Sequence, residues 1–244
     1  MLNRPISRLI SLRIALLLFI FACSIFAIII LHSVVRVEQQ ASNLSRQINR
    51  SIIIDAGHGG QDGGAVGKSE WLEKDINLSI AMKLKEFLEV SGFEVIMTRE
   101  TDDFIDDDPS ATVAERKKTD MHARLKIINE HPNSLFVSIH QNHFDNSTLF
   151  GAQVFYSVNH QNSVLLADSI QNSVISLIQN NNERQSKAAE NTIFLLKNAQ
   201  IPAVIVECGF LSNASEAKLL CDDTYQNKMA FSIFCGIINY YAVA

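Results

Sequence analysis

Ser51-Ile-Ile-Ile-Asp-Ala-Gly-His-Gly-Gly60 carries a β-branched run straight into a cluster of glycines, which reads as a strand ending in a loop. Glycine adopts dihedrals closed to other residues, so the chain can turn there and hold His58 at the strand tip. Leu135-Phe-Val-Ser-Ile-His140 repeats the pattern before Gln141-Asn142-His143, and Ala203-Val-Ile-Val-Glu207 delivers an acid the same way before Cys208-Gly209. A second acid, Glu73, is expected from the loop Gly57 to Leu72, just ahead of a helical stretch beginning near Asp75. In open α/β sheets ligands bind in the crevice beyond the carboxyl ends of parallel strands, where side chains delivered in this way can converge.

Working outward, strands are expected near 51–55, 93–98, 134–140, 151–157, 192–196 and 203–207, and helices near 75–91, 112–131, 161–180, 214–221 and 224–242. Alternation of this kind predicts an α/β fold: a single three-layer α/β/α domain over 51–244, with a twisted, parallel-rich sheet of about six strands. Roughly 190 residues are enough for one such core. Ile76, Ile80, Leu84, Phe87 and Leu88 form the apolar stripe of the first helix and need no functional reading. Gly57 to Gly67 lacks the Lys-Ser/Thr ending of a phosphate loop, which argues against nucleotide binding.

Two imidazole nitrogens and one carboxylate suit Zn²⁺ in a catalytic site, where a fourth position stays open for water. A zinc ion so held, one per chain, lowers the pKa of its water to roughly 7 and polarises a carbonyl. The remaining carboxylate is then free to move protons, a role that suits Glu207. Each residue also has a plainer reading. A lone His at a strand end is commonly a hydrogen-bonded structural residue, and Glu73 could simply favour a helix N-terminus. Glu207 is harder to explain that way, because an acid closing an apolar run is costly to bury without compensation. Spacing alone is weak evidence, since the chain carries no HExxH signature.

Asp55-Ala-Gly-His-Gly-Gly60, Glu73-Lys-Asp75, Ser138-Ile-His-Gln-Asn142 and Val206-Glu-Cys-Gly-Phe210, in that order, resemble the zinc-dependent N-acetylmuramoyl-L-alanine amidases (amidase type 3) of bacterial cell walls. Met97-Thr-Arg99 with Asp102, Arg124 with Asn129, and Leu211-Ser-Asn213 extend the likeness over about 51 to 242. It implies His58, Glu73 and His140 as metal ligands and Glu207 as catalytic acid/base; Asn142 and Arg124 are candidate substrate contacts, with structural roles open to both. Ala56 departs from the family pattern, where Pro is common, as does Cys208, where an aliphatic residue is common. Within the family, Asp62 to Gly67, the basic helix with Arg116-Lys-Lys118, and Ser215 to Leu220 are most similar to the sporulation amidases. Those strip stem peptides from cortex peptidoglycan, the first step toward the muramic-δ-lactam needed for germination. The alternatives are a growth-phase autolysin of the same family, a zinc peptidase cutting within stem peptides, and a wall protein that only binds.

The N-terminal part is of another kind. Arg4, Arg8 and Arg13 precede Ile14 to Leu31, which is free of charge, so 1–13 is expected in the cytoplasm, 14–35 as a transmembrane anchor and 36–50 as a linker. The catalytic domain would then lie outside the cytoplasm in the cell envelope; a cleaved signal peptide is the alternative. Residues 1–50 carry six Arg and one Glu, whereas the remainder carries fifteen Lys and Arg against twenty-five Asp and Glu. An acidic domain argues against nucleic acid as a partner. Asp102-Asp103 and Asp106 to Asp108 are expected as solvated loop surface. Cys208, Cys221 and Cys235 show no framework spacing, and the apolar run before Cys208 points to packing. The short connection from His140 to Gly151 has little room for a helix that could plug the cleft. Control would then lie in expression, membrane placement, metal loading or an accessory protein partner.

Overall fold

The computed structural model describes residues 51–66, 71–105 and 108–244, together with 24, 25, 28, 31 and 32. Those five N-terminal residues are helical. The expected anchor over 14–35 otherwise lies outside the described residues, among which no helix is long and apolar enough to cross a membrane.

Six strands, β1 (Ser51–Ala56), β2 (Glu94–Met97), β3 (Leu135–Asn142), β4 (Gln153–Tyr156), β5 (Lys187–Ala188) and β6 (Ala203–Phe210), form one sheet in the order β2-β1-β3-β6-β4-β5. β2, β1, β3 and β6 run parallel, whereas β4 is antiparallel to β6 and β5 runs parallel to β4. Strands β1, β3 and β6 lie inside the sheet and are almost wholly buried, which accounts for their richness in Ile, Val and Phe.

Helices α1 (Glu73–Val90), α3 (Asn162–Ile178) and α6 (Asp223–Val243) bury their apolar stripes with Ile54, Val137, Ile139, Val204 and Val206. On the opposite face α2 (Val113–Glu130) and the short α4 (Phe194–Asn198) pack Ile128, Leu195 and Leu196 against Ile53, Phe136 and Ile205. The helix α5 (Ala214–Leu220) follows β6. Capping explains several helix starts. Thr112 and Glu115 form a reciprocal capping box at α2, and the side chains of Asn213 and Asp222 accept first-turn N–H bonds at α5 and α6.

Two expectations need correction. Residues 192–196 do not form a strand: Ile193 is extended, Phe194–Asn198 is helical, and Leu195 and Leu196 turn into the core. A short apolar run fits strand and helix equally well, and the sheet edge is taken instead by Lys187–Ala188, which has no apolar pattern to announce it. Glu73 also lies inside α1, as its first residue, and not in the loop before it.

Candidate active site

The loop leaving β1 folds back on the start of α1. Carbonyls of Gly63 and Ala65 accept the N–H groups of Lys74 and Glu73, giving α1 the cap that Leu72 has no side-chain oxygen to supply. Glu73 is thereby held in place. Its Oε1 accepts from Gln141 N at 3.0 Å and its Oε2 from Ala65 N at 2.8 Å, and its side chain is 5% exposed.

Both imidazoles point at that carboxylate. His58 Nε2 lies 3.2 Å from Glu73 Oε2 and His140 Nδ1 lies 3.0 Å from Oε1, with the rings edge to face at a centroid distance of 5.0 Å. One ligand atom from each of the three residues falls within 4.8 Å of the others. Such proximity needs bare backbone beside it. A side chain at Gly57 would strike His140 Nε2 at 2.2 Å, and one at Gly64 would strike Glu73 Oε2 at 2.5 Å and His58 Cδ2 at 2.7 Å.

His58 sits at φ 64, a left-handed conformation that costs a non-glycine residue on the order of 1 kcal/mol. The strain is tied down from several directions. Gly59 and Asp62 exchange backbone hydrogen bonds, the Asp62 carboxylate accepts from His58 Nδ1 at 2.9 Å, and Lys117 pairs with Asp62 at 2.6 Å. Because Asp62 occupies Nδ1, the other ring nitrogen faces Glu73. Burial opposes a charge on His58, but the two carboxylates outweigh it and lift the group to about 9. The same imidazoles hold Glu73 far below the usual carboxylate range, against the upward push of its own burial.

Arg124, a candidate substrate contact with a structural role also open, is 1% exposed and takes the structural role. Its guanidinium pairs with Asp55 and Asp120 and donates to the carbonyls of Ala56 at 3.0 Å and His58 at 2.7 Å. Arg99 completes the clamp, donating to Ala56 O at 2.8 Å and Gly57 O at 3.1 Å. Two buried guanidiniums therefore hold the carbonyls that lead into His58. Asp102 is exposed, as expected of solvated loop surface, and also pairs with Lys74 at 2.6 Å and accepts from Gly60 N at 3.0 Å. Asp106 and Asp107 lie outside the described residues.

Glu207 arrives on the neighbouring strand, paired in register with His140 and so on the same face. Its Oε2 is buried with no hydrogen-bond partner, and burial pushes the carboxyl up to about 7. Asn142 ends β3 half-buried, and His143 is exposed. Cys208 is fully buried, where its thiol is pushed up. The connection from β3 to β4 forms no helix, and His58 and His140 remain 24% and 21% exposed. Nothing in the sequence pointed to the Asp62 contact with His58: a hydrogen bond four residues along a loop has no periodicity to reveal it.

Residues 52–239 match the family model described as N-acetylmuramoyl-L-alanine amidase. The chain belongs to this amidase family. It is 38% identical over 190 residues to the germination-specific N-acetylmuramoyl-L-alanine amidase of Bacillus subtilis, covering 78% of this chain and 79% of that one. The CwlD amidase from Clostridioides difficile, solved in complex with the GerS lipoprotein, superposes with a TM-score of 0.77 at 43% identity. That match covers 80% of this chain and 100% of the solved one. The amidase LytC of Bacillus subtilis is 33% identical over 196 residues, covering 80% of this chain and 36% of that protein. The activity of the family, and of this amidase, is hydrolysis of the amide joining N-acetylmuramic acid to the L-alanine of the stem peptide.

Proposed function

We propose that His58, Glu73 and His140 hold one zinc ion, that Glu207 is the acid/base, and that the amidase acts on spore-cortex peptidoglycan from a membrane anchor, outside the cytoplasm. The observation that carries this reading is the convergence of two imidazole nitrogens and a buried carboxylate within 4.8 Å. The donor set fits zinc, and the unpartnered Glu207 Oε2 stands on the same sheet face. Bound there, the ion would act as a Lewis acid on the scissile carbonyl and as an acidifier of water.

The chain's own residues do the rest. Asp62 fixes the ring of His58, and the Arg99 and Arg124 clamp fixes its backbone. Glu207 Oε2 takes a proton from the attacking water and passes it to the alanine nitrogen as the C–N bond breaks; the water oxygen remains on the lactyl carbon as a carboxylate. A carboxyl near 7 serves both halves of that transfer at neutral pH. Asn142 hydrogen-bonds substrate in this reading, which its half-buried position at the end of β3, two residues beyond His140, supports. The charge-free run behind Arg4, Arg8 and Arg13 supports the anchor, and the germination-specific relative supports the cortex as substrate. The lipoprotein-bound relative supports an accessory protein partner at the envelope.

Stripping the purified protein with a chelator should abolish release of stem peptides from cortex peptidoglycan. Activity should return in proportion to added zinc and level off at one equivalent per chain. Restoration by magnesium alone would reject the zinc assignment. Asp62→Asn is expected to weaken zinc binding ~10–100-fold, as losses of outer partners of metal-bound His do, measured by competition with a chromophoric chelator.

A further inference from the structure

β6 carries an irregularity that shapes the surface next to Glu207. His140 pairs with Glu207 and Asn142 with Phe210, so Cys208 and Gly209 together stand opposite Gln141. An extra residue on one strand resets its alternation, so Phe210 returns to the face that Glu207 occupies. On the other side of β6, Gln153 of β4 pairs with Glu207 and shares that face too. Paired residues on antiparallel strands lie about 5 Å apart at Cβ.

Arg184 is fixed over Phe210 and beside Gln153. Its guanidinium stacks on the Phe210 ring at 4.7 Å, Nη1 donates to Gln153 Oε1 at 3.1 Å, and Nε donates to Phe150 O at 2.8 Å. A guanidinium has five N–H donors, so these two bonds leave three unspent. The side chain is half-buried, and no carboxylate among the described residues pairs with it. Glu216, the acid whose field reaches it, spends its oxygens on Gly151 N and Phe210 N, each at 2.9 Å. A planar cation held by a ring, an amide and a carbonyl, with donors to spare, is built to receive a carboxylate.

The substrate carries one close to the scissile bond. In a stem peptide the residue after L-alanine is linked through its side-chain carboxyl, which leaves its α-carboxylate free. A stem peptide that leaves Glu207 across β4, advancing about 3.4 Å per residue over strands about 4.8 Å apart, would bring that carboxylate over β4. We propose that Arg184 binds the free α-carboxylate of the second stem residue, and that the stem peptide therefore runs from Glu207 across β4. The proposal rests on the amidase reading and adds its polarity and a specificity determinant.

The test compares zinc-loaded wild type, Arg184→Gln and Arg184→Lys on two synthetic muramoyl-peptides, one with the α-carboxylate free and one with it amidated. Wild type should prefer the free acid by kcat/KM, and Arg184→Gln should lower that preference about 10-fold, mostly through KM. Arg184→Lys keeps the charge and should retain the larger part of it. An unchanged preference in Arg184→Gln, or equal loss in both variants, would overturn the subsite; equal loss would point to packing on Phe210. If wild type releases no alanine-terminated peptide from either compound, the amidase reading fails and the subsite falls with it.

Discussion

Replacing Glu207 by Gln is expected to lower kcat ~10²–10⁴-fold, the usual worth of a positioned acid/base group, while zinc content stays at one per chain. Gln matches the volume of Glu and cannot carry the proton, so shape is kept and the chemistry removed. The three proposed ligands lie elsewhere, which is why metal content should not move. The pH profile gives an independent reading. Burial lifts Glu207 to about 7, and only its ionised form can accept a proton, so wild-type activity should rise with pH along an acidic limb that the variant lacks. Stability should move the other way: above neutrality the substitution removes a buried, unpartnered charge, so Tm should hold or increase. Loss of zinc from Glu207→Gln would instead make Glu207 a ligand, and an unchanged kcat would remove it from the reaction.

Arg124→Ala is expected to destabilise the fold by ~3–5 kcal/mol, the range seen when one partner of a buried pair is removed. For a domain of this size that corresponds to a Tm lower by roughly 10 °C. Arg124 and Asp55 are each 1% exposed, and Asp55 also accepts from Thr98 at 2.7 Å and Ser138 at 2.5 Å. Burial alone would push the Asp55 carboxyl up; Arg124, helped by Ser138, outweighs it and holds Asp55 below the usual carboxylate range. A carboxyl depressed in the folded state contributes stability above its unfolded pKa, about 3.9, and that stability is lost as pH falls through the folded value. Wild type should therefore lose Tm below about pH 4. The variant, which buries Asp55 without its partner, should close the gap to wild type in the same window. Activity should fall as well, because Arg124 holds the carbonyl of His58 at φ 64. A variant with wild-type Tm at pH 7 would show that the clamp carries little of the fold's stability.

Some of these residues are legible in the sequence and others are not, for physical reasons. His58, His140 and Glu207 were visible because a β-branched run imposes a strand and its end places one side chain at the crevice. Gly57 and Gly64 were visible as glycines, yet their reason is the approach of two imidazoles, which only the folded loop creates. Arg124 sits among basic residues on α2, where a solvated face or a substrate contact is the natural reading; its partner Asp55 lies across the fold, in another strand. No local spacing encodes that pair. The bulge that turns Phe210 toward Glu207 is equally silent, because Cys208-Gly209 fits an unbroken strand as well as an irregular one. The run at 192–196 shows the opposite case, with apolar residues enough for a strand but a place only in the helical layer.

The most direct measurement is mass spectrometry of the material released from cortex peptidoglycan by the zinc-loaded protein, with Glu207→Gln alongside. Free peptides beginning at L-alanine, together with glycan whose muramic acids bear unsubstituted lactyl carboxylates, are the predicted products, and the variant should release neither. Peptides beginning at an internal residue of the stem, with L-alanine still attached to muramic acid, would contradict the amidase and make the site that of a peptidase.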